Sequence, residues 1–211
     1  MLKNKISLLL LFFFIFSSSW FKFFLEDHEY FEAVYVILVS SLLFYLNKKK
    51  GKLKVILFFL PLLTIFFYRP GGNVIFNLDE LEKYTINTRR LYYENITLGR
   101  FYENKIFYIF RNYQKNFFQG LDLNYYFFGN HPRERAGIKE IKKISFIFLP
   151  LFLVGLYSFI RKKSYLFLYY FFFSLITASF YTPIDIYSFL FFPFLVSCLT
   201  EGAETILLRD K

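Results

Sequence analysis

Apolar residues along this chain gather into long blocks that are separated by short charged segments. A membrane helix needs roughly 20 apolar residues to cross a hydrocarbon core of about 30 Å. Six blocks approach that length: Ile6–Leu25, Tyr30–Leu46, Leu53–Tyr68, Ile144–Ile160, Ser164–Tyr181 and Ile186–Thr200. The second and third are short, so flanking Tyr, Lys or Arg side chains must reach the interface. The pattern predicts an all-α, polytopic transmembrane helical protein with about six spans.

The short connecting segments alternate in charge, and this predicts the orientation of the spans. One set is basic: Lys3 and Lys5, the five lysines from Lys48 to Lys54, Arg161 to Lys163, and Arg209 with Lys211. The alternate set holds Glu26, Asp27, Glu29, Glu32 and Asp185, with Lys22 as its one base. Because basic loops stay inside, we expect a multi-pass protein of the cell membrane with both termini cytoplasmic.

The same pattern divides the chain into three parts. Residues 1–68 hold three N-terminal spans, residues 69–143 form an external helical segment, and residues 144–211 hold three C-terminal spans. The N-terminus leaves one alternative open, since Met1–Lys5 and the following apolar run could be a cleaved signal peptide. No A-x-A site is present, and an uncleaved first span is favoured. Pro61, Pro150 and Pro193 fall inside spans, where proline usually kinks the helix.

The external segment contains two predicted helices. The first covers Asn77–Ile96, with Asn77 or Asp79 as its cap. The second covers Lys105–Leu121, where Ile106, Ile109, Phe110, Tyr113 and Phe117 recur at helical spacing. This aromatic face fits two arrangements equally: it lies on the membrane surface, or it packs against the other external helix. Asn95-Ile96-Thr97 also fits a glycosylation sequon.

Composition adds limits to the function. The chain is 56% hydrophobic with a net charge of +10. Membrane orientation accounts for the basic excess better than nucleic-acid binding does. The one cysteine, Cys198, lies in an apolar block and is predicted to be a small buried hydrophobe. With two histidines and no CxxC or HExxH motif, neither a metal site nor a cofactor is expected.

A basic turn precedes the fourth span. Apolar residues run up to Phe128, then Gly129 to Pro132 form a turn that is followed by Arg133 and Arg135. Arginine beside a membrane can hold a phosphate with two hydrogen bonds. The alternative is that both arginines snorkel to the interface or contact lipid headgroups.

The stretch from Phe118 to Tyr157 resembles the membrane-embedded glycosyltransferases that use polyprenyl-phosphate sugars, of the protein O-mannosyltransferase and aminoarabinose transferase type. The similarity lies in Tyr126-Phe127-Phe128, in the turn from Gly129 to Arg135, and in Leu149-Pro150-Leu151 with Val154-Gly155-Leu156-Tyr157. Ala178 to Thr182 resembles the segment before the family's next span. Asn130 replaces the family's usual Asp, and Ala136 stands where the family has His. The matched region is the later part of the family's fold.

The resemblance implies a role for one group of residues in the matched region, and a catalytic chain would need a base from outside that region. His131, Arg133 and Arg135 would bind a lipid phosphate. The acidic cluster of Glu26, Asp27 and Glu29 would supply the base that deprotonates an acceptor hydroxyl; otherwise it is a solvated loop. The chain would then be a reduced or partial glycosyltransferase or an accessory subunit, with the bilayer and a polyprenyl-phosphate sugar as partners. The alternative is a non-catalytic membrane protein that docks partner subunits through its external helices.

Overall fold

The computed structural model describes residues 2–26, 29–47, 60–61, 63–64, 73–128, 143–182 and 188–207. These ranges are largely helical, and the all-α class is confirmed. The helices are α1 Leu2–Ser17, α2 Ser19–Glu26, α3 Tyr30–Asn47, α4 Glu80–Arg90, α5 Ile96–Tyr102, α6 Lys105–Leu121, α7 Leu123–Phe127, α8 Leu149–Arg161, α9 Tyr165–Ser179 and α10 Phe192–Leu207. Single 3-10 turns at Phe146–Phe148 and Ser188–Leu190 precede α8 and α10.

The last helix, α10, is the centre of the packing. It contacts α8 most extensively and also touches α1, α3 and α9. Every side chain from Phe192 to Thr200 is buried. A helix that is apolar on all sides belongs in the interior, where each face meets another element. Compared with the predicted span Ile186–Thr200, the helix begins later and continues to Leu207. Its Glu201 accepts hydrogen bonds from Ser158 on α8 and from Lys162, the residue that follows α8.

The contact between α8 and α10 depends on two glycines. A Cβ atom at Gly155 would lie 1.8 Å from the carbonyl oxygen of Cys198, and one at Gly202 would lie 1.9 Å from that of Leu151. Both distances are far inside van der Waals contact, so the two backbones touch at this crossing. Small residues allow such close approach, and it is a common way for membrane helices to pack.

The predicted first span is two helices in the structure. α1 and α2 meet at a 60° bend at Ser18. The Ser18 hydroxyl donates to the carbonyl of Ile15 at 2.8 Å and accepts from the amide of Phe21 at 3.2 Å. The same oxygen therefore ends α1 and caps α2, and this local bonding replaces a continuous helix.

Two other sequence expectations are wrong. Pro150 lies in the first turn of α8 and Pro193 is the second residue of α10, positions where the missing amide costs little. Neither proline sits inside its helix to kink it. The predicted helix Asn77–Ile96 is too long, since α4 ends at Arg90. Ile96 instead begins α5, which the Asn95 side chain caps by accepting from the amides of Thr97 and Leu98.

Each described helix is shorter than the roughly 20 residues that a membrane span needs. No single described helix combines the length and the apolar character needed to cross a bilayer; the bent pair Lys5–Ser17 and Ser19–Glu26 meets that requirement by length and composition. Tyr30–Leu46, Phe146–Arg161 and Tyr165–Ser179 are apolar but shorter. Most of the predicted third span, Leu53–Tyr68, lies outside the described residues.

Three of the apolar helices expose apolar side chains and bury polar ones, which is the reverse of the arrangement in a soluble protein. On α3 the exposed positions are all apolar or aromatic, and they form a stripe with Val34 and Leu38 at its middle, while Glu32 and Ser40 are buried. On α9 the exposed residues are Tyr165, Tyr169, Phe172 and Ile176, whereas Ser174, Thr177 and Ser179 are buried. α8 likewise buries Ser158 and exposes Leu153, Tyr157 and Ile160.

The segment from Asn73 to Leu121 forms an outer layer, built from α4, α5 and α6, at one end of α9. The following α7 belongs to the core, where Tyr125, Tyr126 and Phe127 are buried. Strand β1 (Asn73–Val74) pairs antiparallel with β2 (Tyr181–Thr182), which directly follows α9. α6 has the predicted bounds Lys105–Leu121. Its Asn116 amide donates to the carbonyls of Ser179 and Tyr181, at 3.2 and 2.9 Å.

The predicted aromatic face of α6 is divided between contact and exposure. The ring of Tyr113 packs against Phe180, with centroids 5.0 Å apart, while Ile106 and Phe110 remain exposed. The side chain of Tyr108 donates to Glu82 on α4 at 3.4 Å. α6 therefore packs against both α4 and the end of α9.

Candidate functional site

The predicted acidic cluster lies at the junction of α2 and α3. Glu26 is the last residue of α2 and is exposed, whereas Glu29 is half-buried. The carbonyl of Glu29 accepts from the amide of Ala33 at 3.2 Å, so this residue begins the first turn of α3. Asp27 lies outside the described residues. The two described carboxylates therefore flank a short connection between two helices.

A third carboxylate at this junction, Glu32, is buried, and the sequence did not single it out as a site residue. Its residue exposure is 1%. A buried carboxylate in an apolar setting is costly, because the charged form loses its hydration. The sequence feature that could have identified Glu32 is its position inside the predicted span Tyr30–Leu46, since an ionisable residue within a span often marks a functional site.

A buried pair of phenols lies one turn deeper. The hydroxyl groups of Tyr35 on α3 and Tyr170 on α9 are 3.0 Å apart. Tyr170 donates to the carbonyl of Leu190 at 2.6 Å, so its oxygen is left to accept from Tyr35. Glu32 and Tyr35 are three residues apart and therefore lie on the same face of α3. This face offers a carboxylate and a hydroxyl, which are groups that can accept or pass on a proton.

The predicted phosphate-binding residues His131, Arg133 and Arg135 lie outside the described residues. The two ends of their segment are described. The amide of Ile144 donates to the carbonyl of Tyr126 at 2.9 Å, and the amide of Trp20 donates to the carbonyl of Lys143 at 3.2 Å. Both ends are therefore held at one place, beside α2.

Trp20 is the residue on α2 that these ends contact. Its indole is 6.4 Å from the ring of Tyr126 and 5.5 Å from the ammonium of Lys143, measured to the ring centroids. The same ammonium lies 3.2 Å from the centroid of Tyr125, a cation–π contact. Six residues separate Trp20 from Glu26, which is about 9 Å along a helix. α2 thus connects the acidic junction to both ends of the arginine segment.

The outer layer carries its own ion pair. Arg111 on α6 donates to both carboxylate oxygens of Glu103, at 3.0 and 2.5 Å, and Arg90 donates to the carbonyl of the same residue at 2.6 Å. The hydrogen bonds from Arg111 hold the pKa of the Glu103 carboxyl below its ordinary value and raise the pKa of Arg111. Both groups are therefore ionised at neutral pH and join α4, the end of α5 and α6.

Within the described residues, no group of three or more His, Cys, Asp or Glu side chains is placed to hold a metal ion. Comparison with known proteins found no matching family model, and no curated protein or solved structure that is significantly similar to this chain.

Proposed function

We propose that this chain is a multi-pass helical membrane protein. The observation that carries the proposal is the inverted polarity of α3, α8 and α9. On α3, Leu38 is 63% exposed whereas Glu32 is 1% exposed. A soluble protein rarely exposes apolar patches larger than a few hundred square ångströms, because water disfavours them by roughly 25 cal/mol per Å². In lipid the same surface carries no such cost.

The ends of the α3 stripe fit a bilayer interface. Tyr30 and Tyr45 are both exposed and are separated by 15 residues, which is about 22 Å along the helix. Tyrosine is enriched at both membrane–water boundaries. This spacing is shorter than an average hydrocarbon core, and local thinning or snorkelling of flanking residues accommodates the difference. Asn116 and the β1–β2 pair join the outer layer to the end of α9, which supports a position for this layer just beyond one boundary.

The substitution Leu38→Lys tests whether lipid or water surrounds the exposed face of α3. We expect the substitution to destabilise the inserted protein by about 2.5 kcal/mol, since lipid disfavours a central lysine by that amount, whereas water would tolerate it. Leu81→Lys, at an exposed position of the outer layer, is the matched control and should have little effect. The measurement is the amount of protein that resists alkaline extraction, followed by unfolding in detergent. Recovery of the wild type in the aqueous fraction would overturn the proposal.

Within the membrane, we infer a role in glycosyl transfer from a polyprenyl-phosphate sugar, as a reduced or partial member of that enzyme group or as its accessory subunit. Two features support it beyond the resemblance around Phe118–Tyr157. α2 connects the acidic junction to the ends of the segment that carries Arg133 and Arg135. Glu32 adds a buried carboxylate to the same junction, and a carboxylate is a group that can serve as a general base.

The chemistry assigns one task to each group. A carboxylate of the junction removes the proton from an acceptor hydroxyl, whose oxygen attacks the anomeric carbon of the sugar. The bond between that carbon and the phosphate oxygen breaks, and the phosphate leaves with the electron pair. Arg133 and Arg135 stabilise the charge on the leaving phosphate.

Glu32→Gln tests the carboxylate. In full-length protein reconstituted with labelled polyprenyl-phosphate sugar, we expect transfer to fall by about 10²-fold or more while donor binding persists, because the amide cannot accept the proton. Arg135→Ala should instead weaken donor binding. Glu204→Gln on α10 is the control and should leave both quantities unchanged. No binding of the donor by wild-type protein would exclude the glycosyl-transfer role.

A docking role is the second candidate, and the outer layer favours it. Apolar and aromatic side chains on and between α4 and α5 are widely exposed, with Leu91 at 83% and Tyr92 at 81%. Aromatic residues of this kind are enriched at protein interfaces. Photo-crosslinking from Tyr92 in native membranes should then capture one defined membrane subunit. A chain that remains monomeric and crosslinks to nothing would exclude this role.

A further inference from the structure

The geometry points to a binding site for a phosphate-bearing ligand in the outer layer, formed by residues other than those of the acidic junction. The site is an open pocket of about 470 Å³ between α4, the start of α6 and the turn after β1. Lys83, Arg90 and Lys105 supply three positive charges to its wall, and Asn77 and Asn87 supply two carboxamides. Phe76, Leu78 and Ile86 form its apolar part.

The positive charges in this pocket are not neutralised by the described part of the chain. Neither Lys83 nor Lys105 makes an ion pair or hydrogen bond with a described side chain. Among the acidic residues at the start of α4, Asp79 and Glu82 each accept from a backbone amide and Glu80 is exposed. Glu103 is paired with Arg111. Like charges that converge on one concavity raise the local potential and attract an anion.

Arg90 is held in place by the protein and still has donors to offer. Its Nε donates to the carbonyl of Glu103, and one terminal nitrogen donates to Asn87 Oδ1 at 3.1 Å. A guanidinium carries five N–H donors, so three remain. Each lysine ammonium adds up to three more. A carboxylate presents two acceptor oxygens in one plane, whereas a phosphate ester presents three that can engage cations from different directions.

The pocket lies next to the end of α9. The ring of Phe76 stacks on Phe180, the residue that follows α9, with centroids 5.6 Å apart. If α9 spans the bilayer, this contact puts the pocket at the interface, in reach of lipid phosphates; that placement rests on the proposed function. The charge and shape of the pocket do not, so a soluble phosphate ester is the second source of the same chemistry.

The test compares two phosphate probes on full-length protein in neutral detergent. Dodecyl phosphate represents a lipid headgroup and glucose 1-phosphate a soluble ester, and native mass spectrometry or calorimetry gives their affinities. The double substitution Lys83→Gln/Lys105→Gln should lower the affinity for the probe that binds by about tenfold or more. Arg100→Gln/Lys115→Gln, which removes two exposed charges of the same layer outside the pocket, should change the affinity less than about twofold.

Each outcome either identifies the source of the phosphate ligand or overturns the proposed site. Preferential binding of dodecyl phosphate identifies a lipid source, and preferential binding of glucose 1-phosphate identifies a soluble one. The second result would support the pocket even if alkaline extraction had disproved the membrane placement. Absence of binding by both probes, or equal weakening in the two double variants, would overturn the proposal, since general charge rather than this pocket would then be responsible.

Discussion

Gly155→Ala is expected to destabilise the protein by more than about 3 kcal/mol. The added Cβ would lie 1.8 Å from the carbonyl oxygen of Cys198, which is backbone and cannot rotate away. Overpacking of a core costs about 1–3 kcal/mol when side chains can adjust, and more when they cannot. Alanine is favoured over glycine in a helix by about 1 kcal/mol, which is too little to compensate. α8 must therefore move away from α10, the central helix.

Reversible unfolding in mixed detergent micelles measures this effect. Leu153→Ala is the control, since it changes an exposed position on the same turn of α8 and should be nearly neutral. Gly202→Ala should destabilise as strongly as Gly155→Ala, because its Cβ meets the carbonyl of Leu151 at 1.9 Å. The double variant should cost less than the sum, since the first substitution already separates the helices. Wild-type stability for either single variant would contradict the crossing described here.

Local signals predicted the outer layer better than they predicted the apolar helices. Asp79 caps α4 in a reciprocal pair with Glu82, and α6 has its predicted bounds, because capping and 3.6-residue periodicity are properties of neighbouring residues. Ser18 and Asn95 are caps of the same kind, but their positions inside long periodic stretches concealed them. A continuous apolar or mixed pattern does not reveal where a side chain interrupts the helix.

At the candidate site, the sequence did not predict which acidic residue is buried. Glu26, Asp27, Glu29 and Glu32 form one acidic group in the sequence, and the charge pattern assigns all four to the external side of the predicted spans. Their burial differs in the structure, because Glu32 lies on the inward face of α3 whereas Glu26 is exposed. Which face of α3 turns inward depends on contacts with α1, α2 and α10, and α10 is distant from α3 in the sequence. The role of Trp20 in joining α2 to Lys143 and Tyr126 is likewise a tertiary property.

Trp20→Ala is expected to cost about 3–5 kcal/mol, the usual range for deleting a buried large aromatic side chain. Trp20 is 4% exposed, and its ring lies 4.8 Å from Phe192 and 6.3 Å from Phe191. The indole also contacts Tyr126 and Lys143, so its loss leaves a cavity and releases a cation–π contact. Trp20→Phe keeps an aromatic ring and should lose less than half as much.

The same unfolding measurement gives both values, and Phe16→Ala provides the comparison. Phe16 is an aromatic residue of the neighbouring helix α1, but it is 53% exposed, so its removal leaves no closed cavity. Trp20→Phe also separates stability from function. Because the backbone amide of residue 20 would still donate to the carbonyl of Lys143, the arginine segment should remain attached and donor binding should persist. A Trp20→Ala variant as stable as Phe16→Ala would show that the indole is not buried against Phe192 and Tyr126 as described here.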